Sequence, residues 1–389
     1  MESYEGLEME TILQHLAEEQ KPHRAVSPPI FHSSLFVYDN FAEFTAAQNA
    51  TPGGPPYHYS RLGNPTVDIA ERKVAALEHT EAAKVFSSGM AAISTAIMSL
   101  VEQGAHIVAI DTCYGVSKFM FDEFLPRFGV TTTYVDGLTP ESVIDALRPE
   151  TKLVYLESPS SLVFRLQDIK AITRSCREKG VVTIFDNSYA SPIYQSPADM
   201  GIDIVVHSAT KYLGGHSDIT AGVVASTRER MDRMIRNEIA IFGSLIAPFP
   251  AWLMIRGMRT LPIRVKYHEQ SANEVASWLE RHPKIDRVLH LGLDSFDQKE
   301  LFRKQMRGSG GLFTFIPKNQ NRDEINAMAD RLKIFQIGVS WGGFESLSVP
   351  ITVEPLGWSG PTHIVRLYCG LESPKDLIRD LEQALIDLP

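Results

Sequence analysis

Cysteine is scarce in this chain of 389 residues and is not arranged for cross-linking. The three cysteines, Cys113, Cys176 and Cys369, are scattered, with neither a paired nor a metal-like spacing. Such usage is typical of free thiols in a reducing compartment. The twelve histidines also lack ligand spacing. We therefore expect neither a disulfide framework nor a metal centre.

An excess of basic residues is also missing, because 38 Lys and Arg face 47 Asp and Glu and leave a net charge of -9. No overall positive field is available to attract nucleic acid or an anionic membrane. The most apolar run, residues 246–255, is too short to span a bilayer and contains two prolines. The acidic N-terminus lacks the pattern of a signal peptide, so we expect a cytoplasmic protein.

The chain divides into three successive segments that differ in composition and hydrophobic pattern. Residues 1–62, with one short predicted helix and many turn-forming prolines and glycines, indicate an arm with little core of its own. Residues 63–248 alternate amphipathic helical stretches with short Val- and Ile-rich runs, which is typical of a mostly parallel sheet flanked by helices. Residues 249–389 indicate a smaller α+β domain. The predicted fold class is α/β.

Polar segments follow five of the predicted strands. In chain order, these segments are SSGM, DTCYG, ESPSS, FDNSYASP and HSATK. Ligands of open parallel sheets bind outside the carboxyl ends of the strands. We therefore expect these segments to line one site.

The first group of these residues suits a phosphate. Gly89 opens a predicted helix, whose free N–H groups and positive dipole end favour an anion. Ser208 and Thr210 add hydroxyl donors on either side of Ala209, next to a lysine. Together they predict a phosphate cradle at the edge of the sheet.

The second group suits an aromatic aldehyde. Lys211 follows an apolar strand, where burial disfavours the charged form of an amine. Asp186 in such a site needs a cationic partner, which a protonated pyridine nitrogen would supply, and Tyr114 could stack on the ring. A ligand that carries a phosphate, a pyridine nitrogen and an aldehyde would match these residues. This combination indicates pyridoxal phosphate, with Lys211 condensing with the aldehyde.

Each of these features has a more common explanation when taken alone. A lysine at a strand end is usually solvated, Ser-Gly before a helix is usually a cap, and Asp-Asn is usually a turn. Five such features at successive strand ends of one sheet favour a site. A non-catalytic binding protein would be expected to lack Lys211, Asp186 or the phosphate cradle.

The sequence also resembles the Cys/Met-metabolism family of pyridoxal-phosphate enzymes over nearly its whole length. The resemblance is carried by YSRLGNPT, SSGMAA, DTCYG, ESPSS, DNSYASP, SATKYLGGHSD, SWGGFESL and IVRLYCGLE. It implies the aspartate-aminotransferase-like fold, known as fold type I, and a lyase of amino-acid metabolism acting in trans-sulfuration. It also implies a homotetramer built from dimers.

The resemblance further implies a role for each matching residue. Lys211 and Tyr114 would be catalytic, and Arg366 and Ser340 would bind the substrate carboxylate, with Trp341 and Ser161 also at the substrate. The residues expected to bind the cofactor are Lys211, Asp186, Tyr114, Gly89, Met90, Ser208 and Thr210, together with Tyr59 and Arg61 from a neighbouring subunit.

The reaction predicted from this resemblance is β-elimination on cystathionine or a related cysteine S-conjugate, giving a thiol, pyruvate and ammonia. ESPSSLVF and SWGGFESL resemble the bacterial cystathionine β-lyases, whereas YSRLGNPT resembles the γ-synthase and γ-lyase branch. Val116 stands where methionine γ-lyases carry a cysteine. The alternatives are γ-elimination or γ-replacement, and a specialised biosynthetic relative acting on an unusual amino-acid thioether.

Overall fold

The computed structural model describes residues 6–50 and 53–389. Within these residues the chain forms two sheets, one of seven strands and one of five. The predicted α/β class is confirmed. The first five residues of the predicted arm, and residues 51 and 52 in its turn-rich part, lie outside the described residues.

The larger sheet has seven strands, which are built from the short Val- and Ile-rich runs of residues 63–248. These strands are β1 (Ala82–Phe86), β2 (His106–Ile110), β3 (Thr131–Val135), β4 (Thr151–Glu157), β5 (Val182–Asp186), β6 (Ile204–His207) and β7 (Gly222–Ser226). Their order in the sheet is β1-β7-β6-β5-β4-β2-β3. Strand β7 runs antiparallel to both of its neighbours, while the remaining pairs are parallel.

The direction of the strands decides where the site forms. Strands β2, β4, β5 and β6 are parallel neighbours, so their carboxyl ends share one edge of the sheet. Strands β1, β2, β6 and β7 are buried along their whole length, which explains their continuous apolar sequences. The polar residues that follow the parallel strands are thereby brought to one edge.

Helices precede, connect and follow the strands. Among the described residues they are α1 (Met9–His15), α2 (Phe41–Gln48), α3 (Pro65–Leu77), α4 (Gly89–Met98), α5 (Gly115–Phe119), α6 (Pro140–Ile144), α7 (Ile169–Glu178), α8 (Ser191–Tyr194), α9 (Arg228–Met234), α10 (Ala240–Phe242), α11 (Pro248–Arg259), α12 (Leu261–Glu280), α13 (Lys299–Gln305), α14 (Arg322–Asp330) and α15 (Pro374–Leu385). Two segments, Met120–Phe124 and Ile235–Ile239, have π-helical hydrogen bonding.

The smaller sheet belongs to the C-terminal part of the chain. Its strands are β8 (Ile285–Leu289), β9 (Leu312–Pro317), β10 (Gln336–Ile337), β11 (Leu347–Val353) and β12 (Thr362–Tyr368), in the order β10-β11-β12-β9-β8. Helices α12 and α15 pack together, and their apolar residues join those of β9 and β12 in a second core.

A buried polar contact joins the two parts of the structure. Asp111, directly after β2, accepts a hydrogen bond from the backbone N–H of Leu356 at 2.6 Å. Arg165 donates to the Leu356 carbonyl at 2.6 Å and lies 3.5 Å from the Asp111 carboxylate. The loop between β11 and β12 is thus held against the carboxyl edge of the larger sheet.

In its described residues, the predicted N-terminal arm contains two α-helices, where the sequence predicted only one. Helix α2 begins at the capping residue Asn40, whose side chain accepts the Glu43 N–H, a local signal hidden among the surrounding turn residues. Most of the arm is exposed, but Leu13 joins the main core. Buried Lys73 anchors the arm by donating to the Leu13 carbonyl and by pairing with Glu18 at 3.0 Å.

Among the described residues, no helix is both long and apolar enough to cross a bilayer.

Candidate active site

One cavity of about 350 Å³ lies at the carboxyl edge of the larger sheet and reaches the smaller one. Its walls contain eleven of the thirteen predicted site residues, namely Gly89, Met90, Tyr114, Ser161, Asp186, Ser208, Thr210, Lys211, Ser340, Trp341 and Arg366. The volume falls within the range of small-molecule sites. The segments that follow the parallel strands therefore do converge.

Lys211 enters this cavity from a tight turn after β6. Its backbone N–H bonds to the Ser208 carbonyl at 3.0 Å, and its carbonyl accepts the Gly215 N–H at 2.7 Å. Its Nζ donates to the Ser340 hydroxyl at 2.6 Å and lies 5.6 Å from the centre of the Trp341 ring. The amine, carried by the part that contains the larger sheet, is thus held by two residues of the C-terminal part.

A glycine lets the C-terminal loop approach the backbone of this lysine. Gly342 has a φ of +89°, and a Cβ atom built there would lie 2.8 Å from the Lys211 Cα. Only glycine combines this backbone conformation with this contact. The SWGGFESL segment therefore packs directly on the lysine turn.

The environment of Lys211 favours its uncharged form. Burial and, to a smaller extent, the positive charge of Arg366 lower the pKa of Lys211 to about 8, although Asp186 and Glu345 oppose the shift. An amine must be uncharged to attack an aldehyde or to accept a proton. The uncharged fraction of Lys211 near neutral pH is therefore a minority, but it is far larger than that of a solvated lysine.

Asp186 is a buried carboxylate at the end of β5. One of its oxygens accepts the Ser188 N–H at 2.9 Å, and among the described residues Asp186 forms no ion pair within 4.0 Å. Burial raises the pKa of Asp186, whereas Ser188, His207 and Lys211 oppose the shift. A cationic group in the cavity would complete its interactions.

The start of α4 forms the predicted anion-binding end of the cavity. Ser88 caps the helix by accepting the Ala91 N–H at 3.1 Å. A Cβ atom at Gly89 would lie 3.0 Å from the Ser208 side chain, so glycine leaves the space beside Ser208 open. Free N–H groups and the helix dipole both favour a phosphate here.

The two predicted phosphate-binding hydroxyls differ in their surroundings. Ser208 has its backbone N–H bonded to the Ser188 hydroxyl at 2.6 Å. The Thr210 hydroxyl accepts the Ala221 N–H at 2.9 Å and donates to the Ala221 carbonyl at 3.2 Å. Thr210 therefore also stabilises the lysine turn, a role that the sequence did not predict.

Tyr114 and Ser161 share a partner that the sequence analysis did not assign to the site. The carboxyl group of Glu157 accepts the Tyr114 backbone N–H at 2.7 Å and lies 2.6 Å from the Ser161 hydroxyl. Burial, Asp186 and Glu157 together raise the pKa of Tyr114, so its phenol remains protonated near neutral pH. A glutamate at the end of the apolar run LVYLE was the available signal for Glu157.

Arg366 lies in the centre of the smaller sheet, since β12 pairs with both β11 and β9. Among the described residues it forms no ion pair within 4.0 Å, and its long hydrogen bonds go to the Gly338 and Ser340 carbonyls at 3.4 and 3.3 Å. Burial lowers its pKa. Its guanidinium group therefore retains donors for a carboxylate.

Trp341 both lines the cavity and packs behind it. Its ring centre lies 5.3 Å from that of Tyr212 in an edge-to-face arrangement and 6.3 Å from that of Tyr189. Tyr212 is in turn fixed by the Gly311 N–H, which donates to its hydroxyl at 2.8 Å. The tryptophan ring thus forms a cavity wall beside Lys211 and is held in place by the tyrosine rings packed behind it.

Tyr59 and Arg61 lie outside the cavity of their own chain. Arg61 donates to the Ala240 carbonyl at 2.9 Å, and its guanidinium carbon lies 5.7 Å from the Tyr59 ring centre. Tyr59 borders a different cavity, between the arm and the segment that contains Ile235 and Ala240. These two are the predicted site residues that the single chain does not bring together with Lys211.

Further residues of the cavity were not predicted from the sequence. Ser188 supports both Asp186 and Ser208, while Leu162 and Val339 add apolar surface at the wall. Leu162 has a φ of +67°, an uncommon conformation for leucine. No pattern in a single sequence distinguishes such residues from ordinary loop residues.

The residues present fit the group that the sequence predicted. The cavity offers an anion-binding helix end, a buried carboxylate that forms no ion pair with the described residues, and an amine whose pKa is lowered. A phosphate, a protonated ring nitrogen and an aldehyde would each find a matching partner.

Comparison with known proteins agrees with this geometry. A family model described as "Cys/Met metabolism PLP-dependent enzyme" matches residues 10–386. The chain belongs to this family. Fold type I, pyridoxal phosphate as the cofactor and enzymatic activity are thereby confirmed.

Individual relatives cover nearly the whole chain. An L-methionine gamma-lyase of Treponema denticola is 38% identical, covering 95% of each chain. The cystathionine beta-lyase MetC of Bacillus subtilis is 36% identical, covering 94% of this chain and 92% of its own. The crystal structure of metB from Corynebacterium glutamicum has a TM-score of 0.91 at 31% identity, covering 99% of each chain.

The lowered pKa of Lys211 can be tested in the protein freed of cofactor. Because only the uncharged amine reacts, acetylation of Lys211 by acetic anhydride should increase with pH, with a midpoint near the pKa of about 8. The change Arg366→Ala removes a positive charge and should move this midpoint to higher pH. The extent of acetylation is measured by peptide mass mapping.

Exposed Lys179 in the same samples serves as the internal reference for reagent decay. A midpoint for Lys211 that does not move in Arg366→Ala would contradict the assigned electrostatic coupling.

Proposed function

We propose that this family member is a carbon–sulfur lyase that performs β-elimination on cystathionine or a related cysteine S-conjugate. The observation that carries the proposal is the convergence in one cavity of Lys211, an amine with a lowered pKa, and Arg366, a guanidinium without an ion-pair partner among the described residues. One can act on a Cα proton while the other binds the carboxylate on the same carbon.

Each residue has a distinct task in this reaction. When bound, pyridoxal phosphate supplies an aldehyde that joins the substrate amine and a ring that accepts electrons. Asp186 holds a proton at the ring nitrogen, and Arg366 orients the substrate through its carboxylate. The Nζ of Lys211 removes the Cα proton. Ser340 and Trp341 hold this amine inside the cavity, where burial favours its uncharged, proton-accepting form.

The bond changes of the proposed reaction balance with water as the one further reagent. The Cα–H and Cβ–S bonds break, and the sulfur leaves with the electron pair of the C–S bond. The Lys211 ammonium formed in the first step returns a proton to the thiolate. The three-carbon enamine released reacts with one water to give pyruvate and ammonia. Tyr114 is a second candidate for proton transfer.

Elimination at Cγ is the second candidate function. It is favoured by the 38% identity to a relative named L-methionine gamma-lyase. A γ-elimination would release 2-oxobutyrate in place of pyruvate. The cavity residues described above serve both reactions, so the products decide between them.

We also propose an assembly and a location for the protein. The proposed segments are an arm of residues 1–62, a cofactor domain of residues 63–248 and a C-terminal domain of residues 249–389. The proposed assembly is a homotetramer built as a dimer of dimers. Within each dimer, Tyr59 and Arg61 of one subunit reach the phosphate bound in the neighbouring subunit. Exposed apolar residues on and near the arm, including Val37 and Ile241, support an interface there. Free, buried cysteines support a cytoplasmic location.

The proposed reaction is tested by the products formed from L-cystathionine. β-Elimination predicts pyruvate and homocysteine, separated and quantified by chromatography. Lys211→Ala should reduce kcat by at least ~10²-fold, because it removes the proton-transferring amine. Lys179→Ala, at an exposed position of the same domain, is the matched control.

Formation of 2-oxobutyrate and cysteine would replace the proposal by its γ alternative. No turnover of cystathionine or of simple cysteine S-conjugates would favour a specialised thioether substrate and contradict the proposed substrate class.

The shared site is tested by mixing subunits. Lys211→Ala and Arg61→Ala chains are each expected to have little activity alone. In a mixed dimer, one site combines an intact Lys211 with an intact Arg61 from its partner. Co-expression should therefore recover about a quarter of wild-type activity, given random pairing of two-fold symmetric dimers. No recovery above the two separate variants would contradict the shared site.

A further inference from the structure

Glu157 occupies a special position in the larger sheet. It is the last residue of β4, directly opposite Asp186 at the end of β5. Both residues are 7% exposed, and both line the cavity that contains Lys211. Two carboxyl groups on adjacent strands therefore share one poorly solvated site.

The contacts of Glu157 join two walls of this cavity. One oxygen accepts the backbone N–H of Tyr114, the residue that precedes α5, at 2.7 Å. The other lies 2.6 Å from the hydroxyl of Ser161, in the loop that follows β4. A single side chain thus sets the separation between the Tyr114 segment and the Ser161 loop.

The charged groups near the pair are distributed unequally. Asp186 has the Ser188 N–H and the positive influence of His207 and Lys211. Glu157 has only neutral partners, and among the described residues it forms no ion pair within 4.0 Å. Two carboxylates so close in a buried site disfavour double ionisation. The proton therefore belongs on Glu157, and Asp186 keeps the charge.

The titration behaviour of Glu157 agrees with this geometry. Burial and the charge of Asp186 raise the pKa of Glu157 to about 8, although Ser161 and the Tyr114 N–H oppose the shift. A glutamic acid that is neutral near pH 7 can accept the Tyr114 N–H with its carbonyl oxygen. Its hydroxyl can at the same time donate to Ser161.

We propose that Glu157 is a positioning residue that acts in its neutral form, fixing Tyr114 and Ser161 relative to Asp186. It links the two loops without adding a second negative charge beside the carboxylate of Asp186. The effect on turnover rests on the proposed function above, whereas the effect on the bound cofactor requires only the family's pyridoxal phosphate.

A pair of uncharged variants of similar size separates this proposal from a purely structural role. In Glu157→Gln, the amide oxygen can accept the Tyr114 N–H and the amide nitrogen can donate to Ser161. In Glu157→Leu, the volume is kept but both polar contacts are lost. Glu178→Gln, at an exposed position of α7, is the matched control.

Three methods are applied to the holoenzyme. Visible circular dichroism reports how the bound cofactor is held in its asymmetric surroundings, and equilibrium dialysis gives its dissociation constant. Steady-state kinetics with L-cystathionine, or with another thioether that the wild type cleaves, give kcat and KM. The first two do not depend on the identity of the substrate.

The proposal predicts that Glu157→Gln keeps the wild-type dichroism and loses at most about threefold in kcat. Glu157→Leu should change the dichroism and lower kcat by ~10²-fold, since misplacement by about 1 Å can have an effect of this size. Ser161→Ala should lower kcat less in the Glu157→Leu background than in the wild type, because the two residues act through one contact.

Equal and large losses in Glu157→Gln and Glu157→Leu would overturn the proposal, because they would show that the ionised carboxylate is required. Wild-type dichroism and affinity in Glu157→Leu would overturn it as well. If the wild type cleaves no thioether, the proposed function fails. Dichroism and cofactor affinity then still decide the role of Glu157.

Discussion

The site depends on shielding the Lys211 amine from water beside the buried carboxylate of Asp186 and the guanidinium group of Arg366. Lowering its pKa from 10.5 to about 8 disfavours the ammonium form by about 3 kcal/mol relative to water. The fold maintains this state because parallel strands deliver Lys211 and Asp186 to one edge, while the smaller sheet brings Arg366 against them. The same low polarity favours one proton on the Glu157–Asp186 pair.

The site is complete only when the two parts of the molecule are packed together. Ser340, Trp341 and Arg366 come from the C-terminal part, and the remaining predicted cavity residues come from the larger sheet and its loops. Gly342 allows the C-terminal loop to contact the Lys211 backbone, and the Asp111–Arg165 pair holds Leu356 nearby. Substrate-carboxylate binding and proton transfer thus depend on one interface. A change that loosens this interface should alter both.

Much of this arrangement was predictable from the sequence, because hydrophobic periodicity and the polar residues that follow a strand are local features. The Val- and Ile-rich runs marked seven strands, and the polar residues after them marked the cavity. Glu157 was not assigned a role, since a glutamate after LVYL looks like an ordinary end of a strand until the register places it opposite Asp186. The second arm helix and the double packing of Trp341 were also missed. The arm helix was missed because its local cap at Asn40 lies among turn-forming residues, whereas the packing of Trp341 on Tyr212 depends on residues far apart in sequence.

The central claim, that the Lys211 amine is the group that meets the cofactor aldehyde, is tested most directly by borohydride reduction of the loaded protein and mass mapping of its peptides. The account predicts one pyridoxyl-modified peptide, carrying the label on Lys211, and loss of this label in Lys211→Ala. A label on another lysine of the wild type, or an equal label in Lys211→Ala, would contradict it.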